Sequence, residues 1–367
     1  MSEWSDSINP FNSMKSLVHS AHYEAILKGK PLNPIVVNFD MTNKCNYKCR
    51  FCMFGGRKRA DKTSEIFRND NSELNSFHIK KLPKLWKRWG IKAECVGGGG
   101  EPTMHPYCFD HLLDSHKQGI DIGFVSNGFL VNNERKWNIV IKTCKWVGFS
   151  IDAGNEETYS AVKGVPKCQF NTVINNIRGL VKTKEKMKSK CNIGFKFLLD
   201  EENYQTIYQA AKLAKEIGCN TFQFRPAINI DYHFDMGQIE MIKQQINRAQ
   251  KELDCDNFKV FGVTHKFNSD FSKKHDFKKC RATMLTTTWC ADGKVYMCTD
   301  SRGNPWAYLC DHYPNPEKVI KYWGSKDHFK KVKKINFKKN CDRCTLEMPN
   351  QFFEKVFIQD KMERFLV

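Results

Sequence analysis

The chain has 367 residues, 16 of them cysteine, and a formal charge of +19 from 59 Lys and Arg against 40 Asp and Glu. That length buries a substantial core without disulfides and allows two or three domains, or one large barrel with an appendage. The cysteines do not form the dense framework of a small secreted domain, the first 30 residues lack a signal peptide's apolar stretch, and no run reaches the roughly 18 apolar residues that span a bilayer. A reducing, cytoplasmic setting with no membrane partner is therefore expected.

In chain order, residues 1–34 read as a short helical extension. Strand-like runs then appear at Ile35–Phe39, Ala93–Val96, Ile120–Val125, Trp146–Ile151, Ile193–Leu199 and Thr221–Arg225. Helical patterns lie between them at Ile79–Trp89, Tyr107–Lys117, Glu134–Cys144, Asn171–Glu185 and Tyr204–Ile217. Six β/α units in order (35–228) imply an α/β fold with a parallel sheet and right-handed crossovers, open or closed into a barrel. The segments "TNKCNYKC", "GGGGEP", "SNG", "DAGNEET", "DEEN" and "RPA" each come after a strand, so polar chemistry gathers on one rim. Residues 229–277 read as a connector: one surface helix capped by Asp235, then a lysine-rich linker. A cysteine-rich region occupies 278–348, and a C-terminal helix 349–367.

In "CNYKCRFC" the thiols of Cys45, Cys49 and Cys52 converge on one loop. Structural zinc wants four ligands, and no neighbouring Cys or His completes that set. Three thiolates on an iron–sulfur cube leave one iron open to a cofactor or substrate, whereas a fourth would restrict it to electron transfer.

CxxxCxxC after the first strand of a β/α series, with Phe51 before its last cysteine, resembles the signature of radical S-adenosylmethionine enzymes. The resemblance implies a partial (β/α)6 TIM-like barrel. It also implies a [4Fe–4S] cluster on Cys45, Cys49 and Cys52 whose free iron binds S-adenosylmethionine, yielding a 5′-deoxyadenosyl radical. "GGGGEP" resembles the family segment that contacts the methionine amino group, with Gly98, Gly99 and Gly100 allowing close backbone approach and Glu101 offering an anion. "VSNG", with Asn127, and "GFSIDAGNEETY", with Ser150 and Asp152, resemble further cofactor-lining segments. "AVKGVPKCQFNTVINNIRGL" resembles the segment beyond these in the family members that carry a cysteine-rich extension.

Twelve residues separate Cys280 from Gly293 and four more separate Gly293 from Cys298, with Cys341-Asp-Arg-Cys344 further on. A hairpin turning at "ADGK" brings Cys280 near Cys298, and the CxxC knuckle adds two thiols. Four thiolates suit either structural zinc or a closed iron–sulfur centre, and Cys290 and Cys310 are spare candidates. The spacing resembles the SPASM/twitch extension of the same family. Lacking cysteines after Cys344, it is nearer the shorter twitch form, which implies one auxiliary [4Fe–4S] cluster on Cys280, Cys298, Cys341 and Cys344.

The resemblance to twitch-type members implies an oxidoreductase acting on a small polar sugar, cyclitol or nucleotide-like molecule, with the auxiliary cluster taking an electron. An external donor such as flavodoxin or ferredoxin is implied as a partner. Base or positioning candidates on the rim are Lys196, Arg225, Tyr232 and His233. Peptide modification is the alternative, although 34 residues before the first strand are too few for a winged peptide-recognition domain. Nucleic-acid modification would use "HFKKVKKINFKKNCDRC", but a helix burying Phe329, Val332 and Ile335 with solvated lysines is the favoured reading of that stretch.

Overall fold

The computed structural model describes residues 13–52, 54, 70–227, 234–262, 275–341 and 344–358. After α1 (Ser20–Leu27) and β1 (Val36–Phe39), helices and strands alternate: α2 (Ser76–Trp89), β2 (Ala93–Val96), α3 (Cys108–Lys117), β3 (Asp121–Ser126), α4 (Glu134–Thr143) and β4 (Cys144–Ser150). The series continues through α5 (Glu156–Lys163), α6 (Cys168–Lys186), β5 (Asn192–Leu199), α7 (Ile207–Ile217), β6 (Thr221–Pro226), α8 (Met236–Leu253) and β7 (Lys259–Gly262). The C-terminal region adds β8 (Thr286–Trp289), β9 (Lys294–Tyr296), β10 (Tyr308–Asp311), α9 (Glu317–Tyr322), α10 (Lys326–Lys333), α11 (Phe337–Asn340) and α12 (Glu347–Phe352).

Local chemistry sets these boundaries. The Asn75 side chain accepts from the Phe77 amide at the start of α2, and Gly90, in the left-handed region at φ 94°, ends it. Asp235 and Gln238 form a reciprocal capping box on α8. In β1 and β2 buried and half-buried residues alternate, so Val37, Phe39, Glu94 and Val96 face the helix layer while Asn38 and Cys95 face the opposite side.

All six expected strands are present in one sheet, ordered β10-β9-β8-β1-β2-β3-β4-β5-β6-β7, and the eight from β8 to β7 run parallel. This is the partial-barrel α/β fold, its parallel run longer by two strands, β7 and β8, than the six expected. The segment expected as a connector does contain the helix capped by Asp235, but it continues into β7, paired to β6 with Thr221 opposite Lys259. The cysteine-rich region is not a detached appendage either. Its strand β8 pairs with β1, Val36 opposite Thr286 through Phe39 opposite Trp289, so the two regions share a sheet. Helix α5, absent from the expected series, is opened by Asn155 and closed by Gly164 at φ 66°. Cys144 begins β4 rather than ending the preceding helix. Tyr232 and His233 lie outside the described residues.

The main core runs under the whole sheet, and Trp289 joins its two parts. Its indole is fully buried, 5.6 Å edge-to-face from Trp86, 6.5 Å from Trp89 and 4.8 Å from His312. A second core gathers Tyr23 of α1, Leu285, Val332 and Phe353. Tyr23 stacks on Phe357 at 4.7 Å, so the N-terminal extension and C-terminal segment close on each other. Val332 of α10 is buried and Phe329 and Ile335 pack beside it, with Lys330, Lys333 and Lys334 exposed, as a fold-building helix requires. Among the described residues no helix is long and apolar enough to cross a membrane.

Truncating the Trp289 side chain should open a cavity where sheet and helix layer meet. Trp289→Ala is expected to lower unfolding free energy by about 3–5 kcal/mol, read from urea denaturation followed by circular dichroism.

Candidate active site

The loop leaving β1 carries Cys45, Cys49 and Cys52 and is held on both flanks. On one flank, Gly100 and Glu101 donate their amides to the carbonyls of Thr42 and Lys44, both at 2.9 Å. No side chain fits there: a Cβ on Gly100 would lie 2.1 Å from the Lys44 carbonyl oxygen, and one on Gly99 2.6 Å from Asn43 Oδ1. On the other flank, Lys48 and Arg50 donate their amides to the Lys163 and Val162 carbonyls at the end of α5. The buried Arg50 guanidinium then reaches Asp200 at 3.2 Å, Glu201, and Glu202 at 2.6 Å. The acidic run after β5 thus anchors the cysteine loop.

A cavity of about 290 Å³ opens between these flanks. It is lined by all three thiols and by Phe51, Gly98, Gly99, Gly100, Glu101, Asn127, Ser150 and Asp152, so every residue singled out for cofactor contact faces one space. Burial, reinforced by the neighbouring thiols, pushes Cys49 up to about 12 and Cys45 up to about 11. Thiols in such surroundings become thiolates only beside a soft cationic centre, and three of them suit an iron–sulfur cube with one open iron. Among the described residues no three His, Cys, Asp or Glu side chains close to a group able to hold a single metal ion.

Glu101 organises the rim. Its carboxylate accepts from the Thr103 amide and hydroxyl at 3.1 and 2.6 Å, the Ser126 hydroxyl at 2.7 Å and the Asn127 amide at 2.7 Å, which ties the glycine segment to the end of β3. Burial raises its pKa and these four donors work against the rise. Asp152, at φ 60°, accepts from the Leu198 amide at 2.7 Å and pairs with the buried ammonium of Lys163. Desolvation alone would lower the Lys163 pKa, but Asp152 and Cys49 outweigh it and raise the value.

Of the described rim candidates, Arg225 lines the cavity. Lys196 sits opposite Ser150 in the β4–β5 register, its ammonium 5.2 Å from the Trp146 ring, and does not line it. Lining residues not singled out in the sequence include Lys163, Thr299 and Arg302. Arg302 comes from the cysteine-rich region, four residues past Cys298. Its buried Nη1 lies 3.1 and 3.0 Å from the two oxygens of Asp40 at the end of β1. Gly98, at φ 89°, makes room for it, since a Cβ there would lie 1.5 Å from Arg302 Nη1. Burial pushes Asp40 up to about 6 despite the guanidinium.

In the C-terminal set, Asn350 Nδ2 lies 3.8 Å from Cys280 Sγ and 4.0 Å from Cys344 Sγ. Its Oδ1 accepts from the Arg281 and Ala282 amides, both at 2.8 Å. Burial and then the Cys298 thiol push Cys280 up to about 12, while Cys341 presents its carbonyl to His275 at 3.1 Å. Of the spare cysteines, Cys290 turns away to Asp40, 3.5 Å from Oδ2, and Cys310 lies on β10.

A parallel sheet whose strand ends collect three thiols, a glycine loop and a buried acid defines a barrel enzyme with a cofactor site on its C-terminal rim. Residues 39–229 match the Radical SAM superfamily, and the chain belongs to that superfamily, whose members use a [4Fe–4S] cluster and S-adenosylmethionine. It is 24% identical over 181 residues to the tungsten-containing aldehyde ferredoxin oxidoreductase cofactor-modifying protein of Pyrococcus furiosus, covering 49% of this chain and 48% of that protein. The chain thus spans about half the length of that relative. It is 22% identical over 292 residues to GTP 3′,8-cyclase of Staphylococcus carnosus, covering 74% and 79%. Its fold is similar to that of Streptococcus suis SuiB bound to precursor peptide SuiA, with a TM-score of 0.62 at 14% identity over 93% of this chain and 77% of that one.

Two outcomes test the geometry. Gly98→Ala should displace Arg302 and weaken S-adenosylmethionine binding about tenfold or more, equal to about 1.4 kcal/mol, in anaerobic equilibrium dialysis with the circular dichroism spectrum unchanged. Arg302→Gln, by leaving Asp40 buried and unpaired, should cost about 3–5 kcal/mol in denaturant titration. The added substitution Asp40→Asn should recover part of that loss.

Proposed function

We propose that this chain generates a 5′-deoxyadenosyl radical and uses it to oxidise or rearrange a small polar substrate of the sugar, cyclitol or nucleotide-like kind. In this reading Cys45, Cys49 and Cys52 hold the cofactor-binding cluster and Cys280, Cys298, Cys341 and Cys344 an auxiliary [4Fe–4S] cluster. The observation that carries it is the single cavity in which three thiols meet Gly98–Glu101, Asn127, Ser150 and Asp152 from four different strand ends.

When bound, the cluster and S-adenosylmethionine supply a radical that takes a hydrogen atom from substrate carbon. The chain's own residues set where that happens. Gly98, Gly99 and Gly100 keep backbone rather than side chain against the cofactor, and Glu101 fixes them to β3. Arg225 brings positive charge to the cavity and orients a carboxylate or phosphate, while Lys163 stays paired with Asp152 and holds the cysteine loop against the β4 end. Thr299 and Arg302 cover it from the C-terminal side and exclude water. Lys196 stands on the β5 face as a base or positioning group, with Tyr232 and His233 as further candidates. An oxidation releases one proton to such a base and one electron to the auxiliary cluster, and flavodoxin or ferredoxin serves as external donor.

The match to a GTP 3′,8-cyclase over most of both chains supports a nucleotide-like substrate. The fold likeness to a peptide-bound enzyme supports a second reading, in which the same radical modifies a peptide. Deuterium carried from labelled nucleotides, sugars or peptides into 5′-deoxyadenosine would separate the two.

With anaerobically reconstituted protein and dithionite, Cys45→Ala is expected to abolish 5′-deoxyadenosine formation. Cys280→Ala/Cys298→Ala should keep that cleavage but lose about half of the bound iron. Cleavage surviving in Cys45→Ala would overturn the assignment.

A further inference from the structure

The two segments that deliver thiols to the C-terminal set are spelled alike: Phe277-Lys278-Lys279-Cys280 and Phe337-Lys338-Lys339-Asn340-Cys341. Their phenylalanines are buried and stack on each other with ring centroids 4.3 Å apart, and His275 packs on Phe337 at 5.8 Å. This stack brings both lysine pairs together, all four exposed, within three residues of Cys280 or Cys341. Among the described residues, the nearby anions Asp276 and Glu354 have partners other than these four ammonium groups. Asp276 lies 3.4 Å from Lys355, and Glu354 accepts from the Lys278 and Lys279 amides and faces Arg281 at 3.8 Å. Among the described residues no ion pair occupies the four ammonium groups. An open cavity of about 610 Å³ lies beside them, where Lys278, Lys279, Arg281 and Lys355 outnumber the two lining acids Asp276 and Glu354.

We infer that this basic collar docks an acidic one-electron carrier protein, of the flavodoxin or [2Fe–2S] ferredoxin kind, directly over the auxiliary thiol set. The inference rests on the auxiliary cluster of the proposed function. Redox encounters use small interfaces steered by complementary charge, and four lysines around a thiol set present such a charge. In the oxidative direction the electron left on the substrate radical reduces the auxiliary centre and then the oxidised carrier, while the proton goes to the base. A nucleic acid fits the surface less well. Its bases need exposed rings to stack on, and the rings of Phe277 and Phe337 are covered by each other.

The full chain, reconstituted anaerobically, is titrated calorimetrically with oxidised flavodoxin and with [2Fe–2S] ferredoxin at low and high salt. At least one carrier should bind in a salt-sensitive way. Reversing the charges in K278E/K279E/K338E/K339E should weaken that binding about tenfold or more, and the milder K278Q/K279Q/K338Q/K339Q should weaken it less. Iron content and dithionite-driven S-adenosylmethionine cleavage should stay unchanged in both variants. Wild-type protein that binds neither carrier, or variants that bind as wild type does, would overturn the inference. So would a single-stranded RNA that binds more tightly than either carrier and loses affinity with the same lysines. Iron counting on wild type and on Cys280→Ala/Cys298→Ala reports separately on the auxiliary cluster, so failure of that reading is told apart from failure of the docking surface.

Discussion

Beneath Gly98, the carboxylate of Asp40 meets the guanidinium of Arg302, and the two halves of the molecule are joined there. Asp40 is the residue after β1, next to Phe39, which pairs with Trp289 of β8. Arg302 lies just past Cys298 of the second thiol set. A buried pair of this kind adds little net stability, because desolvation offsets attraction, but a lone charge left in its place is costly. The pair therefore acts as a registration device, stable only when the C-terminal region sits on the barrel rim with the Cys298 loop directed at the cavity. Shared strands, Trp289 and this contact join, in one sheet and one core, what the sequence presents as barrel plus appendage.

The glycine segment shows the same constraint from the other side. Its glycines were expected to admit a cofactor, and the space at Gly98, Gly99 and Gly100 is in fact filled by Arg302, Asn43 and the Lys44 carbonyl. Their smallness thus serves the protein first, letting the cysteine loop and the C-terminal arginine close around them, and leaves backbone on the cavity side. Arg50, between two of the thiols, plays the matching part on the far flank by committing its charge to Asp200, Glu201 and Glu202.

The six barrel strands are legible in the sequence because each is an apolar run ended by a polar or glycine-rich turn. The residues of the cavity are legible because they sit at those turns in short, recurring spellings. Strand β7 and the pairing of β8 with β1 are not: "KVFG" is four residues in a polar stretch, and a hairpin turning at "ADGK" gives no sign that its "TTTW" strand extends the barrel sheet. Thr299 and Arg302 were hidden for a related reason. Their place on the cavity wall depends on β8 joining β1 across some 250 residues of chain, a pairing with no local trace. Lys163 carries no such excuse of distance. It lies in a segment already noted, but a lysine one residue before a helix-ending glycine reads as an ordinary C-terminal helix charge.

Charge balance around the cavity explains why Lys163 and Arg302 are buried there at all. Each cation comes with its own acid, Asp152 for Lys163 and Asp40 for Arg302, so each is held in place at little net charge. Ionising Cys49 beside them changes that balance. The Lys163 ammonium already lowers the Cys49 pKa against the larger upward push of burial, and Cys49 in turn helps keep Lys163 charged. Lys163 is thus shared between an acid from the end of β4 and a thiol from the loop after β1. Through Lys163 the cysteine loop and the turn after β4 share one buried cation, and Asp152 in turn holds the Leu198 amide of β5.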